Sequence, residues 1–299
     1  MEKRAFGKTG MQITVLGFGG SEIGFEKASP HTVAQLLNSA LDAGLNVIDT
    51  AECYLQSEEL IGQAAARRRN EYYLFTKCGH PEGMDRPADW RPQSLLHSIE
   101  RSLRRLQTDH VDLIQLHSCS EAELRKGDVI AALQTARERG YSRFIGYSGD
   151  GQAARYAVEC GQFDALQTSV SIADQEVIEL TLPLARERQM GVIAKRPIAN
   201  AAWRYPGKPD YAYHQTYWQR LQKLDYTFLR GDPKQAAAAA LRFTLSVPGV
   251  DTAIVGTTKP GRWKENAELL KAGPLPRAEF DAIRARWQAV ADASWVGQT

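Results

Sequence analysis

Four polar side chains of this sequence could together protonate a carbonyl oxygen. Each belongs to the end of a predicted strand or lies close to one, and they are Asp49, Tyr54, Lys77 and His117. A phenol serves as an acid near neutrality only if its pKa, ordinarily about 10, is lowered. An ammonium beside the phenol lowers that pKa, and a carboxylate holds the ammonium in place. An imidazole can donate a hydrogen bond to the carbonyl oxygen that receives the proton. The set predicts proton donation to a carbonyl while a hydride reaches its carbon.

Each of these residues also has a purely structural interpretation. Asp49 and Lys77 could form an ion pair without a catalytic role, and Tyr54 could be an aromatic residue at the rim of a pocket. His117 could be a hydrogen-bonded histidine at a strand end, because structural networks also perturb pKa values. Their joint placement favours the catalytic interpretation.

Helix and strand patterns alternate along the chain. The predicted strands cover residues 14–18, 45–48, 72–76, 111–116, 143–147, 163–168, 191–194 and 252–255. The predicted helices between them cover residues 30–43, 57–69, 93–106, 121–139, 151–160, 174–189 and 234–245. Such alternation indicates parallel strands joined by right-handed crossovers, and eight strands predict an α/β fold that closes as a (β/α)₈ TIM barrel. A barrel gathers the C-terminal ends of its strands on one face, where the four polar residues would meet.

Three additions extend the predicted barrel. Residues 3–15 alternate apolar and polar around two glycines, which predicts an N-terminal β-hairpin, and residues 277–293 predict an extra C-terminal helix. Residues 198–233 form a long segment rich in Trp and Tyr, which either packs on the barrel or forms a wall of a substrate pocket. The aromatic residues of this segment are Trp203, Tyr205, Tyr211, Tyr213, Tyr217 and Trp218. A chain of 299 residues fits one such barrel, so residues 1–299 are predicted to be a single domain.

The composition narrows the partners and the compartment. The formal net charge is +2, with both signs interleaved, which gives no electrostatic footprint for nucleic acid or an anionic membrane. The N-terminus does not resemble a signal peptide, and no apolar run is long enough to span a membrane. Four cysteines without paired spacing are not a disulfide framework. We expect a cytoplasmic protein that binds small molecules.

The sequence also bears on three other types of site. Residues 17–22 nearly match a dinucleotide GxGxxG motif, but Glu22 stands in place of the third glycine. That glycine is the one that allows the helix to pack closely on the strand, so the motif is rejected. A P-loop is excluded because Arg262 and a tryptophan follow Gly261. A metal-dependent hydrolase would place a metal near the barrel mouth, yet its candidate ligands lack the paired spacing of zinc sites. Those candidates are Cys53, Cys78, His117 and Cys119.

The motifs around the four polar residues resemble the aldo-keto reductase family. They are Asp49-Thr50-Ala51-x-x-Tyr54 with Ser57-Glu58, Phe75-Thr76-Lys77, and Asp112-Leu113-Ile114-Gln115-Leu116-His117. The resemblance extends from Gly7-Lys8-Thr9-Gly10 to Glu265-Asn266. It implies an NADPH-dependent reductase of aldehydes or ketones on a (β/α)₈ barrel, without a metal. In that reading Tyr54 is the general acid, Lys77 and Asp49 tune it, and His117 orients the carbonyl.

A second set of residues bears on the cofactor. After the last predicted strand, backbone amides at a helix start lie near two cations and suit a phosphate, although solvated cations on a capped surface helix would look the same. The resemblance implies that Thr257, Lys259 and Arg262 hold the adenosine 2′-phosphate while Glu265 and Asn266 face the adenine. Gly20, Ser21, Asp49 and Gly256 complete this side of the predicted NADP(H) site.

The resemblance is weaker around the nicotinamide. Ser148 and Gln167 match positions that hydrogen-bond the carboxamide in the family. Gly149 stands where the family usually has Asn, and Lys195 stands where it usually has an aromatic residue beneath the ring. Lys195 or Arg196 could instead pair with the pyrophosphate. These departures leave an alternative open, a redox-sensing or regulatory protein that binds nucleotide with little turnover.

Overall fold

The computed structural model describes residues 1–81 and 87–298. Within them the strands are β1 (Lys3–Ala5), β2 (Gln12–Thr14), β3 (Leu16–Gly19), β4 (Val47–Asp49), β5 (Tyr73–Cys78), β6 (Val111–His117), β7 (Ser142–Ser148), β8 (Ala165–Ser169), β9 (Gly191–Lys195) and β10 (Thr252–Gly256). Strands β3 to β10 are parallel and close into a barrel, because β10 pairs with both β9 and β3. The predicted (β/α)₈ barrel is confirmed.

Helices surround this barrel. In the described residues they are α1 (Ser21–Phe25), α2 (Pro30–Asp42), α3 (Ser57–Ala65), α4 (Pro92–Leu106), α5 (Glu121–Lys126), α6 (Asp128–Glu138), α7 (Gly151–Glu159), α8 (Glu176–Leu180), α9 (Leu182–Glu187), α10 (Ala212–Leu224), α11 (Pro233–Ser246), α12 (Arg262–Leu269) and α13 (Arg277–Val290). Short 3₁₀ turns cover Ala66–Glu71, Ala199–Arg204, Thr227–Arg230 and Leu270–Ala272. The long aromatic segment therefore contains a helix of its own, α10.

Several predicted boundaries were wrong. The helix predicted over residues 121–139 is two helices, because Gly127 has a φ of +85° that breaks the run. Residues 174–189 likewise hold two short helices, α8 and α9. The first barrel strand begins at Leu16 rather than Thr14, since Thr14 pairs with Lys3 in the hairpin. Helix α1 was not predicted.

The N-terminal hairpin closes one end of the barrel. Strand β1 pairs antiparallel with β2, and apolar residues of the hairpin pack against inward-facing residues of the barrel strands. Phe6 stacks on Phe75 with 5.6 Å between ring centroids. The amide of Lys8 donates to the carbonyl of Gln189, which fixes the hairpin to the chain just before β9. The other end of the barrel, at the C-terminal ends of the strands, carries the polar residues.

The two-residue period of the strands explains why that end is polar. Five inward-facing apolar residues form a layer next to the hairpin, namely Val47, Phe75, Leu113, Ala165 and Ile193. Side chains two positions apart lie on the same face of a strand. Two residues further on, the same five strands carry Asp49, Lys77, Gln115, Gln167 and Lys195. We call these five residues the polar layer.

Candidate active site

Asp49 and Lys77 form a buried ion pair within the polar layer. Their side chains are 1% and 2% exposed, and Lys77 Nζ lies 2.5 Å from Asp49 Oδ1. Lys77 also donates to the carbonyl of Thr50 at 2.8 Å. Gln115 Nε2 donates to the second carboxylate oxygen, Asp49 Oδ2, at 3.3 Å. Buried charges persist when they are paired and hydrogen-bonded, and each charge of this pair meets both conditions.

Tyr54 lies directly above this pair. Lys77 Nζ is 5.1 Å from the centroid of the Tyr54 ring, and Phe25 of α1 packs against the ring edge at 5.6 Å. The loop that carries Tyr54 is tight, with Leu55 at a φ of +51°. Gly24 supports this loop because a Cβ there would lie only 2.0 Å from the Tyr54 carbonyl oxygen. The phenol is thus held next to Lys77.

The pKa of Tyr54 differs from the prediction. Burial raises this pKa well above its ordinary value of 10, and the nearby Cys53 and Asp49 raise it further. The cation that opposes the increase is Arg196. Lys77, which is paired with Asp49, does not overcome these effects. The expected lowering of the Tyr54 pKa was wrong, and the phenol keeps its proton at neutral pH.

His117 ends β6 beside Tyr54. Its ring lies edge-to-face with the Tyr54 ring, with centroids 5.7 Å apart, and with the His80 ring at 5.5 Å. Burial lowers the pKa of His117 well below 6.5, and the positive charge of Lys77 lowers it further. The Nδ1 atom lies 3.4 Å from Cys53 Sγ. His117 is therefore a neutral imidazole with its second nitrogen, Nε2, available as a hydrogen-bonding group.

Two buried polar side chains on β7 and β8 lack partners. Ser148 is 1% exposed and Gln167 is fully buried. In the described residues neither the Ser148 hydroxyl nor either amide atom of Gln167 has a hydrogen-bond partner. An unpaired buried polar group costs about 1–3 kcal/mol, so such a pair at the mouth of a barrel is typical of a binding site.

The packing of Tyr147 explains why residue 149 is a glycine. A Cβ at this position would lie 2.5 Å from the hydroxyl of Tyr147, and that hydroxyl donates to the Cys119 carbonyl at 2.7 Å. The Tyr147 side chain thus takes the space that a larger residue at position 149 would need. The family's usual Asn would require a rearrangement of Tyr147.

The ammonium of Lys195 is paired with other groups of the protein. Its ammonium lies 2.8 Å from Asp150 Oδ2 and donates to the carbonyl of Gln298 at 3.0 Å. Burial lowers the pKa of Lys195 to about 8, although Asp150 opposes that shift. With its charge already paired, Lys195 is poorly placed to bind a pyrophosphate, and a contact with the cofactor stays a prediction.

Arg196 lies near enough to Tyr54 for its charge to lower the Tyr54 pKa against the effect of burial. Its backbone has a φ of +54°, and its Nε donates to the hydroxyl of Tyr213 at 2.8 Å. Its Nη1 donates to Ser169 Oγ at 3.3 Å and to the carbonyl of Gln298. Arg196 is half-buried, as Lys195 is.

Gly20 and Ser21 lie at the end of β3, against Asp49. The amide of Gly20 donates to the Asp49 carbonyl at 2.7 Å, and its own carbonyl accepts from Ser57 Oγ at 2.7 Å. Ser21 Oγ donates to Glu22 Oε2 at 2.6 Å. A Cβ at Gly256 would overlap that carboxyl, so the glycine allows Glu22 to lie against the end of β10.

A large cavity lies beside the end of β10. Its volume is about 600 Å³, within the range of ligand pockets. Six residues predicted to bind the cofactor line it, namely Gly256, Thr257, Lys259, Arg262, Glu265 and Asn266. Arg262 is partly exposed, and its Nε lies 3.3 Å from Glu265 Oε2, a weak surface pair that leaves the guanidinium accessible. The structure therefore brings this predicted set together around one cavity.

The aromatic segment divides between the two predicted roles. Tyr213 contacts Arg196 at the site, and Trp203 lines the large cavity. Tyr217 is fully buried and donates to Asp174 Oδ2 at 2.5 Å, so it belongs to the core. Tyr205 and Tyr211 are exposed. Only part of the segment is placed as a pocket wall would be.

Sequence reasoning missed two neighbours of the site. Gln115 lies two residues before His117, and this spacing on one strand face could have identified it as a partner of Asp49. Phe25 packs on Tyr54 from α1, and no sequence pattern indicated that short helix. Among the described residues, no group of three or more His, Cys, Asp or Glu side chains is arranged to hold a metal ion.

Fold and site together define a (β/α)₈-barrel protein with acid–base groups at the C-terminal ends of its strands. A match to the Aldo/keto reductase family covers residues 15–288, and the chain belongs to this family. The chain is accordingly an oxidoreductase of carbonyl or alcohol groups on small molecules, and its family typically binds a nicotinamide cofactor.

Individual relatives match this chain over most of its length. L-galactose dehydrogenase of Arabidopsis thaliana is 26% identical, covering 99% of this chain and 97% of the relative. D-threo-aldose 1-dehydrogenase of a Pseudomonas species is 26% identical, covering 87% of this chain and 90% of the relative. The holo-form structure of an aldo-keto reductase from Bacillus halodurans superposes with a TM-score of 0.84 at 25% identity, covering 99% of both chains. In the described part of this chain no helix has the length and apolarity to cross a bilayer.

Proposed function

We propose that the chain is an NADP(H)-dependent reductase that converts an aldehyde or ketone to an alcohol, with Tyr54 as proton donor. The observation that carries the proposal is the buried Asp49–Lys77 pair with Tyr54 above it and neutral His117 alongside. We further propose that residues 1–299 work as one domain in the cytoplasm. The described cysteines are all free, as a reducing compartment favours.

The proposed chemistry follows from the state of each side chain. His117 donates a hydrogen bond from Nε2 to the substrate carbonyl oxygen and orients it. Tyr54 holds its proton until negative charge develops on that oxygen. Because an alkoxide is more basic than a phenolate, the proton moves to the substrate even though burial has raised the Tyr54 pKa. Lys77, fixed by Asp49, then stabilises the phenolate that remains.

The residues present fit a nicotinamide cofactor, which when bound supplies the hydride to the carbonyl carbon. The unpaired Ser148 hydroxyl and Gln167 amide offer the donors and acceptors that a carboxamide needs. We propose that Thr257, Lys259 and Arg262 bind the 2′-phosphate of NADP(H). In the same cavity we assign the adenine to Glu265 and Asn266. We assign Gly20, Ser21 and Arg196 to the part of the cofactor between these two ends.

The relatives suggest where to look for the substrate. Those named for an activity include an L-galactose dehydrogenase, a D-threo-aldose 1-dehydrogenase and a 6-dehydroglucose reductase. We propose polyhydroxylated aldehydes as the first class to assay, with methylglyoxal and aromatic aldehydes as comparisons. Partners of this kind are small molecules that enter through the open end of the barrel.

Replacing Tyr54 tests the proton donor. Tyr54→Phe removes the phenol hydroxyl and keeps the ring, so carbonyl reduction should fall by about 100-fold or more while the Kd for NADPH stays within about twofold. NADPH oxidation and fluorescence titration measure the two quantities. Tyr205→Phe, at an exposed tyrosine, is the matched control. Equal turnover in Tyr54→Phe and wild type would refute the assignment, and tight NADPH binding without wild-type turnover would favour a regulatory role.

Replacing Arg262 tests the choice between the two nucleotides. Arg262→Ala removes a charged partner of the 2′-phosphate, so the Kd for NADPH should rise about 10- to 100-fold. The Kd for NADH should change little, because NADH lacks that phosphate. Arg277→Ala removes a cation that is 84% exposed on α13 and serves as the control. An unchanged ratio of the two Kd values would mean that another group recognises the phosphate.

A further inference from the structure

The thiol of Cys53 lies against the imidazole that faces the substrate. Cys53 immediately precedes Tyr54, is 1% exposed, and has its Sγ 3.4 Å from Nδ1 of His117. In residues 1–81 and 87–298 this is the only hydrogen bond recorded for the Cys53 sulfur. A contact at this distance is a hydrogen bond for sulfur, and its direction determines which nitrogen of His117 carries the proton.

The protonation states of both groups are defined by their surroundings. Burial raises the pKa of Cys53 to about 12, with Lys77 opposing and Glu52 and Glu58 adding to the shift. Cys53 is therefore a thiol with one proton. Burial holds the pKa of His117 well below its ordinary value, and Lys77, His80, Lys195 and Arg196 add to that effect. His117 is therefore a neutral imidazole with one N–H.

Two protons are thus shared among three candidate positions, namely Sγ, Nδ1 and Nε2. A thiol sulfur is a weak acceptor, whereas the unprotonated nitrogen of a neutral imidazole is a good one. If Nδ1 carried the ring proton, the sulfur would have to accept and the thiol proton would have no recorded acceptor in the described structure. The favourable arrangement has the S–H donating to Nδ1 and the ring proton on Nε2.

We propose that Cys53 is a positioning residue whose thiol donates to Nδ1 of His117 and holds the imidazole as the Nε2–H tautomer that hydrogen-bonds the substrate oxygen. The role rests on the proposed function, since the substrate oxygen belongs to that reaction. The tautomer itself is a property of the protein alone. A neutral histidine with the other tautomer would present a lone pair to the carbonyl oxygen and repel it.

The tautomer can be read directly by ¹⁵N nuclear magnetic resonance. The chain has six histidines, and a His117→Gln spectrum assigns the His117 signals by difference. In the wild type at neutral pH we expect a protonated Nε2 and an unprotonated Nδ1 whose resonance is shifted by a hydrogen bond. A protonated Nδ1 in the wild type would overturn the proposal.

Two substitutions at Cys53 separate hydrogen bonding from packing. Cys53→Val fills a similar volume without a donor, so the Nδ1 resonance should move to its unbonded position or an Nδ1–H population should appear. Cys53→Ser keeps a donor and should retain the wild-type pattern. Cys160→Ser, at a half-buried cysteine of the α7 end, is the control. A Nδ1 resonance unchanged in Cys53→Val would also overturn the proposal.

Kinetics supply the second measurement. The kcat/KM for carbonyl reduction should fall about tenfold in Cys53→Val, less than the roughly 100-fold that follows outright loss of an oxyanion donor. Cys53→Ser should recover most of that loss, and the Kd for NADPH should not change in either variant. If the proposed function is wrong, the wild type will show no turnover while its His117 still has the Nε2–H tautomer. Loss of activity in Cys53→Ser equal to that in Cys53→Val would contradict the positioning role.

Discussion

At the scale of single residues, the site depends on charges that are each matched inside the protein. Lys77 has Asp49 and the Thr50 carbonyl as partners, and Gln115 occupies the second oxygen of Asp49. Removing one member of such a pair leaves the other buried and unpaired, which costs about 3–5 kcal/mol. Removing both members avoids most of that cost. Stability and catalysis can therefore be separated experimentally at this pair.

Lys77→Met should lower both properties at once. We expect carbonyl reduction to fall by about 100-fold or more, because the phenolate of Tyr54 loses its counter-charge, and stability to fall by about 3–5 kcal/mol. The double variant Asp49→Asn with Lys77→Met should regain most of the stability but none of the activity. Urea denaturation and steady-state kinetics measure the two effects. Recovered activity in the double variant would exclude Lys77 from the chemistry.

At the scale of elements, a buried carboxyl joins helix α3 to strand β5. Glu58 is fully buried and accepts from Thr76 Oγ1 at 2.7 Å. Burial raises its pKa from 4.5 to about 7. Between these two values the folded chain keeps a proton that the unfolded chain has lost, so the stability contributed by Glu58 falls as the pH rises. The stability contributed by Glu58 is therefore greatest at acidic pH.

Glu58→Gln should remove that pH dependence. The free energy of unfolding of the variant, relative to wild type, should increase from pH 5 to pH 8 by on the order of 1–3 kcal/mol. Urea unfolding at unit intervals of pH provides the measurement. Glu279→Gln, at an exposed carboxylate of α13, is the control. A difference that is flat with pH would mean that Glu58 titrates alike in both states.

Much of this element structure was predictable from short-range patterns. Strand periodicity located the eight barrel strands, and polar residues after three apolar runs located Asp49, Lys77 and His117. Other features depend on contacts between distant parts of the chain. The raised pKa of Tyr54 follows from burial, the Cys53–His117 contact joins residues 64 positions apart, and Lys195 pairs with Asp150 instead of a ligand. Local sequence carries no signal for such effects.

At the scale of the whole molecule, the C-terminal segment is bound at the C-terminal ends of β8 and β9 and at α10. Arg220 Nη2 donates to the Val296 carbonyl at 2.7 Å, and Lys195 and Arg196 both donate to the Gln298 carbonyl. Trp295 packs edge-to-face on Trp287 of α13, with centroids 5.2 Å apart. Lys195 of β9 thus binds the main chain 103 residues later in the sequence, and Arg220 of α10 binds it 76 residues later.

Gly297→Val should release this segment. A Cβ at Gly297 would lie 2.4 Å from Asp150 Oδ1, so a side chain there cannot fit without displacing the tail. Overpacking of this kind costs about 1–3 kcal/mol, which should lower Tm by about 2–6 °C. Calorimetry and limited proteolysis at the C-terminus measure the change, and Gly207→Val, at an open position, is the control. Equal Tm and equal protease resistance would show that the tail is not seated against Asp150.

The alternation that builds the polar layer limits how such a chain can evolve. The residues that fill the barrel and those that face the substrate are two positions apart on the same strands, from Val47 and Asp49 to Leu113 and Gln115. Deleting or inserting one residue within a strand would exchange its inside and outside, sending a charge into the helical shell and an apolar side chain into the reaction site. Diversification by length is therefore confined to the connecting loops, while the strands can change only by substitution in place.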